Sequence, residues 1–368
     1  MNVLLFFTFG VSLEDWKDKG FLDREIKYYN KLYEKNIKFT FITYGDGSDL
    51  ELINKIDSKI EIIPIFKNFK VKNKFLKFLY SLFFVIKNKK NISKFDYFKT
   101  NQNYGSWLAV FASLFNKKKI ISRCGYDLFH FSLLKKNPLK IIASYLICFL
   151  IYKKSNRIIV PTLYYYNFIK KYFLLKNQNI EVIPNYVDTL IFKDLKYKKN
   201  NNKILFVGRL EKQKNILNIL NGLRDSNFCL DILGNGSLKD KIITKAKKIN
   251  TKVNFINKSY TNNEMPTLLN NYNYLILFSL YEGNPKILLE AMSCGLCVIG
   301  SDTYGINDII ESEKNGLLFK LSDYNKICNK IETLDFFKLT EIKNNASKFI
   351  NEKYDFNNVI KKEIKIYN

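Results

Sequence analysis

The sequence predicts an α/β protein with two consecutive domains, each built on a doubly wound parallel sheet. Short β-rich segments alternate with longer segments of helical pattern along all 368 residues. A polar stretch rich in Lys and Asn interrupts this alternation at residues 189–202, and the same order of elements then starts again. Such alternation implies parallel strands joined by crossover helices, and the length suits two domains of about 150 residues or more.

The first predicted domain comprises residues 1–188. Its predicted strands lie at residues 3–8, 38–43, 60–66, 97–99, 119–122, 157–160 and 181–183. Its predicted helices lie at residues 21–35, 70–90, 140–154 and 164–173. Gly and Asp cluster at residues 44–47, which predicts a turn, and Pro184 ends the last strand because it has no N–H for the ladder.

The second predicted domain comprises residues 203–352, after a linker at 189–202. Its predicted strands lie at residues 203–207, 228–233, 253–256, 274–279, 296–300 and 316–319. Its predicted helices lie at residues 216–224, 238–249, 264–270, 285–293, 307–311, 324–334 and 340–352, and a final helix follows at 356–366. In such sheets ligands bind beyond the carboxyl ends of the strands, so a ligand cleft between the two domains is expected.

The composition limits the classes of function. Sixty Lys and Arg against 34 Asp and Glu leave a net charge of +26. Lys, Asn, Ile, Phe and Tyr all have A/T-rich codons, so a skewed genome is the favoured explanation of this charge, and a polyanion ligand is the alternative. Arg, which suits bidentate contacts to nucleic acid, is scarce, and no nucleic-acid partner is expected. One His and six Cys predict neither a metal site nor a disulfide framework.

The sequence also bears on location. The N-terminal apolar segment is predicted as a buried strand, not a signal peptide, and no run reaches the 18 or more apolar residues of a membrane span. A cytoplasmic protein is therefore expected. Residues 67–90 combine eight Lys with apolar residues and contain no acid. This segment is either a core-facing helix with a solvated Lys face or a peripheral contact with the anionic inner face of the plasma membrane.

Residues 281–295 carry the strongest motif, directly after the strand predicted at 274–279. Pro285 suits the first helical position, where its missing N–H is not needed. The free N–H groups of that helix start suit a phosphate or a polar sugar. Glu282 lies on the loop and Glu290 in the second helical turn, so both carboxylates can face a ligand. The alternative is a pair of ordinary solvated acids.

A second motif, Val-Gly-Arg-Leu-Glu-Lys-Gln-Lys-Asn, occupies residues 207–215 between a strand and a helix. Arg209 and Lys214 lie on this loop and can bind a diphosphate through charge-assisted hydrogen bonds. Lys212 is expected to be a solvated lysine without a specific role.

Together these motifs resemble the family 4 retaining glycosyltransferases of the GT-B fold. Glu282 and Glu290 match that family's E-x7-E motif, and the loop at 207–215 resembles its donor-phosphate loop. Residues 183–188, Ile-Pro-Asn-Tyr-Val-Asp, resemble its P-N-G-V-D segment with Tyr in place of Gly. The turn at 234–236 resembles its G-x-G turn. The resemblance is specific over about residues 180–320 and general over the first domain.

The resemblance implies an enzyme of surface polysaccharide or lipopolysaccharide synthesis in bacteria. It implies retaining, metal-independent transfer of a hexose from a UDP- or GDP-sugar to a glycan or lipid-linked glycan, with no cofactor. Glu282 would meet the sugar as a catalytic residue and Glu290 the ribose, and residues 353–368 would form a helix that returns to the first domain. The other expected donor-binding residues are Gly20, Arg209, Lys214, Gly234, Asn257, Lys258, Asn284, Pro285, Lys286 and Ile287.

The first domain would hold the acceptor. Gly20 is expected near the donor phosphates, because the family has a Gly-rich loop ahead of its first long helix. Residues 122–127 stand where many members carry a histidine, and this chain has none there. Arg123 and Asp127 are therefore the catalytic candidates on this side. Two alternatives stay open: a GT-B nucleotide-sugar epimerase, and a non-catalytic protein of the same fold that binds a polyanion or a membrane surface.

Overall fold

The chain folds into two compact units, each built around its own sheet. The computed structural model describes residues 1–69, 73–125, 127–175 and 180–367. The first unit comprises Met1–Ile183 with the C-terminal residues from Ile360 onward, and the second comprises Pro184–Val359. The residues expected as a linker, 189–202, thus fall within the second unit.

The first unit has a seven-stranded parallel sheet in the order β3-β2-β1-β4-β5-β6-β7. Its strands are β1 (Asn2–Phe6), β2 (Lys38–Thr43), β3 (Glu61–Pro64), β4 (Tyr97–Thr100), β5 (Lys119–Arg123), β6 (Arg157–Val160) and β7 (Ile180–Val182). Its helices are α1 (Leu13–Asp18), α2 (Leu22–Tyr33), α3 (Gly47–Asn54), α4 (Lys74–Lys87), α5 (Lys89–Ile92), α6 (Trp107–Asn116), α7 (Leu128–Lys135), α8 (Pro138–Lys154) and α9 (Leu163–Phe173).

The second unit has a six-stranded parallel sheet in the order β10-β9-β8-β11-β12-β13. Its strands are β8 (Asn200–Val207), β9 (Cys229–Leu233), β10 (Lys252–Phe255), β11 (Tyr272–Leu277), β12 (Cys297–Ser301) and β13 (Leu317–Phe319). Its helices are α10 (Ile216–Gly222), α11 (Lys239–Lys248), α12 (Met265–Leu269), α13 (Lys286–Ser293), α14 (Ile327–Glu332) and α15 (Phe336–Lys353). The last helix, α16 (Phe356–Ile364), begins in the second unit and ends in the first.

Apolar strands covered on both faces hold the second sheet together. All six residues of β11 are buried. Leu275 and Leu277 pack into one apolar core, whereas Ile276 and Phe278 pack into another. Because successive side chains of a strand point to opposite faces, these two cores lie on the two sides of the sheet. The predicted α/β class with two doubly wound sheets is confirmed.

The structure differs from the predicted elements in several places. It contains α1, α3, α6 and α7, which the pattern did not predict, because short or uniformly apolar segments lack a clear helical period. Asp46 caps α3 at the predicted turn, since its side chain accepts a hydrogen bond from Ser48 N–H. Residues 307–309 form turns and residues 310–311 are irregular, so no helix forms at 307–311. The predicted helix at 70–90 is α4 followed by α5, and residues 70–72 lie outside the described residues.

Candidate active site

The two sequence motifs follow neighbouring strands of the second sheet. From β8 the chain builds outward through β9 and β10, and it then crosses to the other side of β8 to form β11. The loops that leave β8 and β11 at their carboxyl ends therefore diverge at the point where the strand order reverses. Open α/β sheets bind their ligands at this position. The loop after β8 carries Arg209 and Lys214, and the loop after β11 carries Glu282.

Gln213 joins these two loops. Its backbone carbonyl accepts a hydrogen bond from Leu280 N–H at 2.8 Å. Its side-chain Nε2 donates to the carbonyl oxygen of Tyr281 at 2.9 Å. Both contacts reach the residues immediately before Glu282, so they fix the position of that carboxylate relative to the β8 loop. No local sequence pattern assigns Gln213 a role, because only the fold brings residues 213 and 281 together.

Lys214 and Glu282 form an ion pair at this point of the sheet. Lys214 Nζ lies 2.6 Å from Glu282 Oε1. The two side chains are only 14% and 10% exposed, so water screens their attraction less than at an open surface. Glu282 Oε2 makes no hydrogen bond within the described part of the chain, which leaves one carboxylate oxygen able to accept a hydrogen bond from a ligand hydroxyl.

Arg209 lies on the same loop and is exposed. Burial and the charge of Glu282 raise the pKa of Tyr281, whereas the charge of Arg209 acts in the opposite direction. Both charges are therefore close to the Tyr281 phenol. Within the described residues Arg209 makes no ion pair, so its guanidinium can bind an anionic ligand.

Close backbone contact explains the glycine at position 234. A Cβ on Gly234 would lie 1.9 Å from the carbonyl oxygen of Gly208, and the φ angle of Gly234 is +155°. The N–H of Gly208 donates to Leu233 O at 3.0 Å, and the N–H of Leu210 donates to Asn235 O at 2.9 Å. The turn after β9 thus supports the loop that carries Arg209. A larger residue at 234 would push these two loops apart.

The segment at residues 183–188 is hydrogen-bonded to the motif at residues 281–295. Asn185 N–H donates to Asn284 Oδ1 at 2.9 Å, and Asn185 Nδ2 donates to the Asn284 carbonyl at 2.6 Å. Asn284 Nδ2 is buried and has no hydrogen-bond partner among the described residues. Asn185 was not predicted as a site residue, although it lies in a segment that the resemblance had singled out.

Helix α13 begins one residue later than predicted. Pro285 is its N-cap with extended backbone, and Lys286 is its first helical residue. Within the described residues no side chain caps this helix, so its first N–H groups can meet an anion. Lys286 Nζ lies 5.2 Å from the centre of the Tyr186 ring. Ile287 and Glu290 are partly buried in the first two turns.

Asn257 and Lys258 lie apart from this group. They are exposed and follow β10, which is the edge strand of the sheet. Lys258 Nζ lies 3.7 Å from Glu264 Oε1 and 4.8 Å from the centre of the Tyr260 ring. The structure shows no contact that brings these two residues to Lys214 or Glu282 within the described part of the chain.

In the first unit, Asp127 is completely buried. Its side chain accepts hydrogen bonds from Tyr152 Oη at 2.5 Å and from His130 N–H at 2.7 Å, where it caps α7. Burial raises the pKa of Asp127, although these two bonds act in the opposite direction. The Asp127 side chain has no exposed surface in this structure. In this structure Asp127 is the N-cap of α7, and its catalytic role stays a prediction.

Arg123 ends β5 and is only partly exposed. Its Nη1 lies 3.8 Å from Oε2 of Glu363, and the same carboxylate is paired with the buried Lys99. Burial alone would raise the pKa of Glu363, but the charges of Lys99 and Arg123 outweigh it and lower that pKa. Arg123 thus belongs to a charge cluster around Glu363.

Gly20 lies between α1 and α2, is exposed and has a φ of +68°.

The first unit also contains a cavity of 360 Å³ beyond the carboxyl ends of β1 and β2. It is lined by acids and hydroxyls from the following loops, among them Glu14 and Asp46, and by the ring of Phe66. Beneath it the buried carboxylate of Asp49 accepts hydrogen bonds from Thr43 Oγ1 at 2.5 Å and from Leu13 N–H at 2.9 Å. Asp49 therefore holds the β1 loop in place, a role that the sequence did not reveal.

Two family models match the chain. The model described as glycosyltransferase family 4 matches residues 29–189, and the model described as glycosyl transferases group 1 matches residues 187–349. The solved structure of Anabaena HepE in complex with UDP and glucose aligns with a TM-score of 0.75 at 15% identity, over 99% of both chains. The chain belongs to the family 4 glycosyltransferases and has the GT-B fold, as the resemblance implied.

Curated relatives match over a shorter region. One is the GalNAc-alpha-(1->4)-GalNAc-alpha-(1->3)-diNAcBac-PP-undecaprenol alpha-1,4-N-acetyl-D-galactosaminyltransferase of Campylobacter jejuni, 30% identical over 46% of this chain and 46% of the relative. Another is the UDP-Gal:alpha-D-GlcNAc-diphosphoundecaprenol alpha-1,3-galactosyltransferase of Escherichia coli, 31% identical over 47% of this chain and 50% of the relative. The chain thus spans about half the length of these curated relatives.

The described residues include neither a membrane-spanning helix nor a cluster of metal ligands. None of the helices in this part of the chain is long and apolar enough to span a bilayer. The same residues contain no group of three or more His, Cys, Asp or Glu side chains arranged to hold a metal ion.

Proposed function

We propose that this protein is a retaining glycosyltransferase that moves a hexose from a nucleotide sugar to a glycan or lipid-linked glycan. The observation that carries the proposal is the arrangement at the strand-order reversal of the second sheet. There Arg209, the Lys214–Glu282 pair and the uncapped start of α13 lie on loops joined by Gln213. Membership of the family supports the reaction class.

The chemistry follows from these charges. In the transfer, the bond between the anomeric carbon and the diphosphate oxygen breaks, the acceptor hydroxyl oxygen bonds to that carbon on the same face, and the hydroxyl proton passes to the departing diphosphate oxygen. The diphosphate gains negative charge as it departs. Arg209, Lys214 and the first N–H groups of α13 would stabilise that charge without a metal ion. Glu282, through Oε2, would accept a hydrogen bond from the sugar.

The remaining donor contacts are assigned by resemblance and position. Glu290 would bind the ribose from the second turn of α13, and Asn257 and Lys258 would lie near the base. Gly234, Asn284, Pro285, Lys286 and Ile287 would shape the loops around the diphosphate and sugar. A UDP- or GDP-sugar is the proposed donor, and the UDP of the HepE complex supports the first of these.

The acceptor is proposed to contact the first unit. The names of two relatives include undecaprenol diphosphate glycans, which supports a lipid-linked glycan in surface polysaccharide synthesis. The cavity beside Glu14 and Phe66 offers hydroxyl-binding groups and an aromatic ring, which suit a sugar. Gly20 and Arg123 are retained as candidates for the donor phosphates and the reacting sugar. A cytoplasmic protein that contacts the anionic membrane through residues 67–90 fits such an acceptor.

A donor panel tests the proposal. The full chain would be titrated calorimetrically with UDP- and GDP-sugars, and the best donor incubated with undecaprenol-diphosphate glycans. Mass spectrometry would detect the added hexose, and NMR of the anomeric proton would report the configuration. An inverted product would refute retention. Conversion of the nucleotide sugar without any acceptor would favour the epimerase, and absence of donor binding would favour a non-catalytic protein.

A further inference from the structure

The net charge is concentrated in one part of the first unit. Residues 62–180 contain 23 Lys and Arg but only two acids, Asp96 and Asp127. The rest of the chain contains 37 Lys and Arg and 32 acids, so it is nearly neutral. A codon bias would raise the Lys content everywhere, and it would not remove acids from one segment of this length. The segregation therefore indicates a surface that requires positive charge.

Three helices of this segment lie side by side on one face of the sheet. From β4 to β6 the strand order advances in one direction, so the right-handed crossovers place α6 and α8 on the same face. Helix α4 contacts α6, and α6 contacts α8. Their outward sides thus form one continuous surface, which we call the α4–α6–α8 surface.

Large apolar side chains project from this surface into solvent. The clearest examples are 56% to 80% exposed: Phe75, Phe83, Leu114, Leu139, Ile142 and Leu146. The inner side of α4 buries Ser81 and Val85, and the inner side of α8 buries Ser144, Cys148, Ile151 and Tyr152. A helix that only covers a sheet has polar residues on its outer side, so large apolar residues on that side as well mark a surface that contacts something apolar.

Lysines surround the apolar residues. Lys74 and Lys87 are exposed at the two ends of α4, and Lys140, Lys153 and Lys154 are exposed at the two ends of α8. No acid occurs in any of the three helices. A second copy of the same surface would bring two sets of lysines together and be repelled. An anionic bilayer offers both an apolar interior and negative headgroups, so it matches both parts of the surface.

We infer that the α4–α6–α8 surface binds anionic lipid bilayers, with the apolar side chains of α8 inserted beside those of α4. The inference extends the membrane contact proposed above for residues 67–90 to two further helices. Lipid binding by this surface rests on the proposed function only in that a lipid-linked acceptor would explain why the protein binds a membrane. Lipid binding is measured without donor or acceptor, so its failure and the failure of the transferase assignment are separate results.

Vesicle co-sedimentation of the full chain tests the inference. The vesicles contain either phosphatidylcholine alone or equal parts of phosphatidylcholine and phosphatidylglycerol. The protein should bind the second kind and release at high salt, because salt screens charges at the membrane surface. The double variant Leu139→Ser/Leu146→Ser should bind these vesicles at least about tenfold more weakly than the wild type, since each buried methylene group contributes to membrane affinity.

Matched variants in the second unit serve as controls. Phe336 and Phe337 in α15 are 75% and 84% exposed, so Phe336→Ser/Phe337→Ser removes comparable apolar surface and should leave binding unchanged. For charge, Lys153→Gln/Lys154→Gln should weaken binding roughly fivefold for each lysine removed. Lys247→Gln/Lys248→Gln, also in the last turn of a helix, should have little effect.

Three outcomes would overturn the inference: no binding to phosphatidylglycerol vesicles, an equal loss in the control pairs, or a dimer seen by light scattering that Leu139→Ser/Leu146→Ser dissociates while vesicles remain unbound. The last result would assign the surface to a second copy of the chain. Thermal unfolding of each variant establishes that the exposed substitutions leave the fold intact.

Discussion

Lys214 Nζ and Glu282 Oε1 lie 2.6 Å apart although the two residues are separated by 68 positions in sequence. The contact links the two motifs that the sequence had suggested separately for diphosphate and sugar. Because both groups are largely buried, removing one of them leaves the other charge unpaired and poorly solvated. The pair therefore couples the position of the sugar-binding carboxylate to that of the cation proposed for the diphosphate.

Replacing Glu282 should abolish most of the activity. Glu282→Gln keeps the size of the side chain but removes the charge that orients Lys214 and the strong acceptor proposed for the sugar. Loss of one transition-state contact of this kind lowers kcat on the order of 100-fold or more. Steady-state kinetics on an identified donor would measure it. Glu332→Gln, on an exposed residue of α14, is the control, and near-normal turnover of Glu282→Gln would contradict the assignment.

The diphosphate site is tested by comparing ligands. Arg209→Ala and Lys214→Ala should each weaken binding of the nucleoside diphosphate about tenfold or more, and binding of the bare nucleoside far less, since charge-assisted hydrogen bonds contribute roughly 1.5–3 kcal/mol. Arg209→Lys should rescue only partly, because an ammonium cannot make the two-pronged contact. Calorimetric titration measures both ligands. Lys212→Ala, on an exposed lysine of the same loop, is the control, and equal losses in all three alanine variants would indicate general charge only.

Gln213 should act as a positioning residue. Gln213→Ala removes the 2.9 Å bond to the Tyr281 carbonyl and leaves the backbone bond to Leu280. A carboxylate that is misplaced by about 1 Å costs on the order of 100-fold in rate, so a tenfold or greater loss of kcat is expected with unchanged thermal stability. Asn218→Ala, which also loses one side-chain hydrogen bond nearby, serves as control. Unchanged kcat in Gln213→Ala would show that the loops hold their position without this contact.

Activity should survive removal of divalent metal ions. The proposal assigns the charge of the leaving diphosphate to Arg209, Lys214 and the start of α13, so no cation from solution is needed. Initial rates would be compared with and without EDTA at matched ionic strength. A strict requirement for added Mg²⁺ or Mn²⁺ would contradict this assignment.

The buried pair of Lys99 and Glu363 should control stability in acid. Glu363 has a pKa below its ordinary value of 4.5, so its contribution is complete above that pH and is lost as the pH falls through the lower folded-state pKa. Lys99→Met leaves a buried carboxylate with fewer partners and should lower the free energy of unfolding by about 3–5 kcal/mol.

The double variant Lys99→Met/Glu363→Gln should recover part of that loss. Its free energy of unfolding should also depend less on pH in acid, because no buried carboxylate remains at position 363 to be protonated. Urea unfolding at neutral and acidic pH measures both effects. Equal stability of the wild type and Lys99→Met would contradict the assigned role of the pair.

The sequence alone determined the fold class, the family and the two motifs of the candidate site. These features depend on residues close in the chain: the alternation of short apolar and longer helical segments, the spacing of Glu282 and Glu290, and the order of the motifs. The signal was local, because backbone period and turn chemistry are set by neighbouring residues. The same local signal failed at α3 and α6, because α3 is short and α6 is almost uniformly apolar, so neither segment shows a clear helical period.

Only the tertiary structure decided which of these residues meet. Strand order places β11 beside β8, which brings Gln213 and Lys214 to the loop of Glu282, whereas nothing in their spacing predicts that contact. Asp127 caps α7 and is buried, an environment that its position in the sequence did not predict. Packing likewise decided that Leu139 and Leu146 face solvent while Ser144 faces the core. Such outcomes depend on contacts between distant segments, since the environment of a side chain is set by the elements that pack around it.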